Sequence, residues 1–350
     1  MKSLLSTNKV AIIVFLLILP LFFSGCSKSD PPAAGRAITQ RDGFTDIPII
    51  IGEGTDFPLD GILSMPDNVA DKIPAVVIVH GSGPGDMDGT LFTNKPHRDI
   101  AEYLASNGIA VIRYNKRTLT HGLLVDSSWT AREETIIDAV LATEIVKADP
   151  HIDENRVFII GHSFGGMLAP RIHAEGGDYA GLILLAGSPR FLLDLSKDQN
   201  IAFINETMQG AEREDALAQI DELWDDQVSE LVNLPDDAAK NTPFEGGVSA
   251  YYLKDLFNNP MSAYIDEITV PFLVLQGSRD LQVLADVDFA LLKEMLASHP
   301  NADFVLYEGL NHLFMPSTIG TMAGLMEEYA IAGQVDSQVL ADIAQWIQKH

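Results

Sequence analysis

The chain has 350 residues, 47% of them hydrophobic, with 23 Lys plus Arg against 49 Asp plus Glu and a formal net charge of -26. That length buries one large core or two modest ones. The acidic balance argues against a nucleic-acid partner, because phosphate contacts need clustered cations, and is read as a solubilising surface.

Lys2 and Lys9 flank the start of an apolar run from Val10 to Phe23. The run is short for a membrane span and has the layout of a secretory signal peptide over residues 1–25. It ends in Phe23-Ser24-Gly25-Cys26, which resembles the lipobox of bacterial lipoproteins, with Phe23 in place of the usual Leu. Cys26 is the single cysteine, so no internal disulfide can form. The expectation is lipidation at Cys26 and anchoring to a membrane of the bacterial cell envelope. The alternative is ordinary cleavage near Ser24-Gly25 and a soluble secreted or periplasmic protein. Residues 26–42, rich in Ser, Pro and Gly at their start, read as a flexible tether.

The body then runs from 43 to 350. Ile47–Gly52 and Leu59–Met65 are predicted hairpin strands. Ala75–His80, Ile109–Tyr114, Arg156–Gly161, Gly181–Ala186, Pro271–Gln276 and Ala302–Tyr307 are predicted core strands. Helical spacing covers Ile100–Asn107, Thr130–Ala148, Met167–His173, Ala285–Ser298 and Gln338–Lys349. Ile136, Ile137, Val140, Leu141, Ile145 and Val146 form the apolar face of the second of these. Strands alternating with helices imply a mostly parallel sheet covered on both faces. One gap breaks the rhythm, an insertion over about 190–268 that is longer than a crossover needs. Its apolar residues at helical spacing, and the cluster Tyr251, Tyr252 and Phe257, are read as a helical cap bounding a substrate pocket at the C-terminal edge of the sheet. A surface insertion with no part in binding is the alternative.

Gly161-His-Ser163-Phe-Gly165 follows an apolar strand and precedes a helix. The pattern alone is weak, but the strand–turn–helix context is that of a strained elbow that lifts a nucleophilic serine. A serine hydroxyl needs a base and an orienting acid. Asp280 and His312 each follow a predicted strand, on the same sheet edge as Ser163 and in the chain order Ser, acid, His. Asp286 and Asp288 are rival acids further along, and His162 is too close in sequence to face the hydroxyl. His80-Gly-Ser82-Gly-Pro-Gly85 offers a backbone N–H at Ser82 for an oxyanion, with the N–H of Phe164 as the second donor. The loop lacks the Gly-Lys-Ser/Thr ending of a phosphate cradle. Asp86-Met-Asp88-Gly89 lacks the remaining ligands of a calcium loop and reads as a loop.

Together, Ser163, Asp280, His312 and the His80-Gly81 loop resemble an α/β-hydrolase. The closer likeness is to bacterial carboxylesterases related to dienelactone hydrolases and prolyl-oligopeptidase-like enzymes. Further matching stretches are Asn94-Lys-Pro, Ile109–Arg117, Leu182–Gly187, Leu275–Val283 and Gly309–Phe314, so the resemblance runs from about Ala75 to the C-terminus. Asn115 departs from the Asp usual in that group. The resemblance implies ester hydrolysis through that triad, without metal or organic cofactor, and the chain is read as a carboxylesterase acting on small-molecule esters of short to medium chain length. A peptidase, amidase or thioesterase of the same fold is the alternative, and a non-catalytic surface binding lipoprotein the alternative of another class.

Overall fold

The computed structural model describes residues 38–244 and 248–350. The signal segment, Cys26 and residues 27–37 lie outside the described residues, and the end of the range expected as tether is corrected: Thr39–Gln40 is a strand, paired with Thr45 and Asp46. No helix of the described residues is long and apolar enough to cross a membrane.

A nine-stranded sheet forms the centre, in the order β1-β2-β3-β5-β4-β6-β7-β8-β9. Its strands are β1 (Thr39–Gln40), β2 (Phe44–Ile51), β3 (Leu59–Pro66), β4 (Ile73–Val79), β5 (Ala110–Tyr114), β6 (Ile152–His162), β7 (Gly181–Leu185), β8 (Phe272–Gly277) and β9 (Ala302–Tyr307). From β1 to β3 and on to β5 the pairing is antiparallel. From β5 through β9 it is parallel. The two long early segments thus form the predicted hairpin, and the apolar runs the parallel centre. Continuous apolar runs suit strands covered on both sides. Alternate residues of β4 go to opposite faces: Val77 and Val79 to one core, Val76 and Ile78 to the other. Helix Phe164–Ile172 and helix Ile137–Ala148 cover the first face. Helix Pro96–Ser106 and helix Ser337–Lys349 cover the second.

Several boundaries differ from the sequence expectation. β6 begins at Ile152, ahead of Arg156, because its polar residues 153–155 carry no hydrophobic signal. The helix expected from Thr130 opens with wide π-type turns over Arg132–Ile136 before Ile137–Ala148. Its inward face is also rotated. Ala139, Ala142, Thr143 and Val146 are buried, with Val140, Leu141 and Ile145 at the flank. The cause is Asp138, drawn inside by Arg117, whose Nε lies 3.1 Å from its carboxylate. The expected helix at Ala285–Ser298 is likewise a π-type stretch, Ala285–Phe289, followed by Ala290–Met295.

The insertion between β7 and β8 is helical. It contains Leu192–Thr207, Gly210–Glu222 and Ala250–Asn258 with shorter turns between. Leu193, Ile220, Trp224, Leu253 and Leu256 join the same apolar core as Phe164 and Leu168. Arg171, on the helix after Ser163, clamps the insertion through Asp255 at 2.8 Å. Trp224 Nε1 donates to the Leu193 carbonyl at 2.6 Å, so a buried indole N–H is satisfied inside the insertion.

Candidate active site

Ser163 sits at the end of β6 with φ +55° and ψ -115°, a conformation that an L residue rarely holds. The neighbours enforce it. Its N–H donates to the Leu185 carbonyl of β7 at 2.8 Å, and its carbonyl accepts from Met167 N–H at 3.0 Å. A Cβ on Gly161 would stand 2.3 Å from the Gly165 carbonyl oxygen, and one on Gly165 would stand 2.5 Å from that of Val79. Strand and helix approach so closely that only glycine fits at either point. Phe164 is the first residue of the helix, where N–H groups lack an intrahelical acceptor and the dipole favours negative charge.

His312 lies in the turn after β9, and its Nδ1 is 2.7 Å from Asp280 Oδ2. Asp280 is held rigidly. Its Oδ1 accepts the N–H groups of Gln282 at 2.8 Å and Val283 at 3.0 Å, and its Oδ2 accepts Gln276 Nε2 at 2.9 Å. Both side chains are buried, whereas ion pairs on an open surface are loosely held. A carboxylate on Nδ1 leaves Nε2 to face outward with its lone pair free to take a proton. His312 and Ser163 line one cavity of about 140 Å³. Of the rival acids, one is otherwise engaged and the other faces solvent. Asp288 is buried against Ser188 Oγ at 2.6 Å and Arg190 Nε at 2.7 Å, and Asp286 is exposed.

A row of imidazoles runs beneath the elbow. His80 contacts His97 with ring centroids 4.9 Å apart, His97 contacts His162 at 5.8 Å, and His162 contacts His312 at 4.9 Å. His162 lines the small cavity with Ser163, and its Nε2 pairs with the His312 carbonyl at 2.9 Å. Burial pushes His80 and His162 down to about 4, and the charge of Lys116 adds to the effect on His80. Burial also holds His97 well below the ordinary histidine range. Neither ring nitrogen of His97 has a hydrogen-bond partner.

The loop after β4 carries Ser82, whose Oγ is buried without a partner. Ser82, Gly83 and Pro84 line the small cavity and also a second one of about 890 Å³. Phe164 lines the larger cavity with Trp129, Leu192, Tyr252 and Leu253, so the insertion meets the helix after Ser163 there. Of the three aromatics expected at a pocket, only Tyr252 reaches it. Tyr251 lies under Lys240 Nζ, 4.6 Å from the ring centroid, and is a correction. Phe257 is another: it is 51% exposed and stacks edge-on against Phe191. Helix Ala250–Asn258 turns Tyr252, Leu253 and Leu256 inward, which leaves Tyr251 and Phe257 on its other sides.

The Asp86–Gly89 segment is a turn in which Asp86 Oδ1 accepts Thr90 N–H at 2.8 Å, while Asp88 pairs with Lys95 at 2.9 Å. Asn115 Oδ1 accepts Met87 N–H at 2.9 Å, which ties that turn to the end of β5. Two residues carry weight that the sequence did not assign. Lys116 Nζ donates to the Gly81 carbonyl at 2.9 Å and pairs with Glu134 at 2.7 Å. Tyr252 Oη donates to the other oxygen of Glu134. Lys116 stood within a stretch that carried the family likeness, but a contact to a carbonyl leaves no sequence trace.

Comparison with known proteins follows the same lines. Residues 76–318 match a profile described as the alpha/beta hydrolase family. Esterase EstD of Thermotoga maritima is 34% identical over 292 residues, which cover 83% of this chain and 66% of that protein, so the chain spans just under two thirds of its length. Est1E of Butyrivibrio proteoclasticus superposes with a TM-score of 0.52 at 16% identity, over 86% of this chain and 98% of that one. The acylaminoacyl peptidase of Pyrococcus horikoshii superposes with a TM-score of 0.51 at 18% identity, over 82% of this chain and 40% of that one. The two superpositions speak for the fold, and the profile and the sequence identity for the family. The chain belongs to the α/β-hydrolase family.

Proposed function

We propose that the protein is a serine carboxylesterase that cleaves short- to medium-chain esters through an acyl-enzyme on Ser163. The observation that carries this reading is the shared cavity of Ser163 and His312, with Asp280 2.7 Å behind the imidazole. The likeness to an esterase at 34% identity supports it.

Ser163 Oγ attacks the carbonyl carbon while His312 Nε2 takes its proton. Asp280 fixes the tautomer and steadies the imidazolium that forms. The oxyanion lies between the N–H groups of Phe164 and Ser82, where donors already aimed at developing charge need no reorganisation. Collapse breaks the bond to the alcohol oxygen, which receives the proton from His312. Water then attacks the acyl-enzyme while His312 accepts its proton; collapse breaks the bond to Ser163 Oγ, which takes that proton back from His312, and the carboxylic acid leaves. In this reading Ser163→Ala folds normally and loses turnover of methyl butyrate by about 10⁶-fold. Turnover near the wild-type rate in that variant overturns the mechanism. Parallel assays on the matching N-methyl amide separate an esterase from an amidase. Lipidation at Cys26 is a separate proposal, for which Cys26→Ser moves the protein from membrane to soluble fractions. An unchanged distribution refutes it.

A further inference from the structure

We propose that the two cavities divide the ester between them, so that the preferred substrates join a bulky apolar acyl group to a small alcohol. This rests on the reading of Ser163 and His312 given above. The departing alcohol oxygen takes its proton from His312 Nε2, so it leaves on the side that His312 lines. His312 lines the cavity of about 140 Å³ and not the one of about 890 Å³. Phe164 borders the larger one, and Ser82 borders both. An acyl chain whose carbonyl oxygen sits between those two N–H groups, and whose alcohol faces His312, extends toward the larger cavity. That cavity is walled by Leu119, Leu124, Val125, Trp129, Leu192 and Leu253, which suits a hydrocarbon chain. The smaller one is lined by His97 and Gly89, packed so closely that a Cβ on Gly89 would stand 2.8 Å from the His97 ring.

The test is a pair of isomers, methyl hexanoate and pentyl acetate, which have the same atoms and differ in which half is long. Rates are followed by titrating released acid, beside labelling of Ser163 with a fluorophosphonate. The expected result is a kcat/KM at least about tenfold higher for methyl hexanoate, since each methylene seated in an apolar pocket is worth that much or more. Equal or reversed preference in protein that labels at Ser163 overturns the division alone. Absence of both labelling and turnover overturns the reading of Ser163, and the division with it.

A separate observation concerns the oxyanion site, and the geometry points to Lys116 as its positioning residue. The Gly81 carbonyl and the Ser82 N–H belong to one planar peptide unit, trans like every described peptide bond, in which the two groups point in opposite directions. Lys116 Nζ holds the carbonyl at 2.9 Å and so fixes the opposite heading of the N–H. The peptide adjoins the nucleophile: a Cβ on Gly81 would lie 3.7 Å from Ser163 Oγ. Glu134 holds Lys116 in turn, and Tyr252 holds Glu134, so the wall of the large cavity is tied to the oxyanion donor. This too rests on the reading of Ser163, which labelling of the wild type tests by itself.

Lys116→Met leaves the buried Glu134 carboxylate without its cation, so the double variant Lys116→Met/Glu134→Gln, which removes both charges, is the companion. In both, kcat on methyl butyrate falls at least about tenfold, with KM within about twofold. Affinity for an alkyl trifluoromethyl ketone, which forms a tetrahedral adduct with the serine, falls in step with kcat/KM. Full recovery of kcat in the double variant overturns the assignment, because the lysine then served only to balance charge. So does a loss of kcat with undiminished ketone affinity.

Discussion

The parallel sheet and the insertion after β7 reach the same cavities by opposite means. The sheet delivers Ser163, Asp280 and His312 from loops at strand ends, and holds them by backbone contacts so tight that glycine is obligatory. The insertion delivers side chains only, on helices that pack against an already formed core. In the proposed mechanism, chemistry therefore lies where the backbone has no freedom, and selectivity where a helix face can be repainted without disturbing it.

The sharpest way to test that contrast is at Asp280. Asp280→Asn keeps the shape of the site but removes the group that orients His312, and kcat is expected to fall about 10⁴-fold. A fall below tenfold would show that the rigid edge matters less than its spacing suggests. Next come two glycines, one in each region. Gly165→Ala drives a Cβ into the Val79 carbonyl, and urea unfolding should report a loss of about 3 kcal/mol or no folded protein. Gly210, in the insertion, has open space around its Cβ position and φ +59°, so Gly210→Ala costs about 1 kcal/mol of backbone strain.

Acid should find the same division. His80 and His162 are pushed from 6.5 down to about 4. The unfolded chain takes up protons that the folded one refuses, so their stabilisation is complete above pH 6.5 and is lost as pH falls toward 4. Each loss approaches about 3 kcal/mol. The urea midpoint should drop between pH 7 and 5, and a constant midpoint would show that the buried imidazoles are reached by water. The smallest effect is expected at Phe257, exposed on the insertion, where Phe257→Ala shifts stability by about 0.5 kcal/mol or less. A loss several times larger would mean that its contact with Phe191 organises the insertion.

The same contrast explains what was legible in the sequence. The core strands were visible because residues such as Val76, Val77, Ile78 and Val79 form unbroken apolar runs. Ser163, Asp280 and His312 were visible because each follows such a run, and a parallel sheet brings those ends to one edge. The insertion was visible as helical but not in its facing. Tyr251 and Phe257 cluster with Tyr252 along the chain, yet a helix of 3.6 residues per turn separates them in space. Lys116 and Glu134 were hidden for another reason. A buried ion pair satisfied by a carbonyl and a phenol depends on residues 18 to 118 positions apart, and no local pattern records it. The rotated face of helix Ile137–Ala148 has that origin too, since Arg117 draws in Asp138 against the hydrophobic periodicity.

The elbow at Ser163 carries one more consequence. Its shape is dictated by Gly161, Gly165, Gly166 and Gly187, packed backbone against backbone, and by the carbonyl of Leu185. The hydroxyl contributes nothing to that shape. The position behaves as a socket into which a different small side chain can be fitted by a change of one codon, with its orientation supplied in advance. In the proposed mechanism, a thiol placed there would inherit the base, the acid and the oxyanion donors. If the proposed mechanism holds, evolution and engineering can exchange the reactive atom at this position without renegotiating the fold.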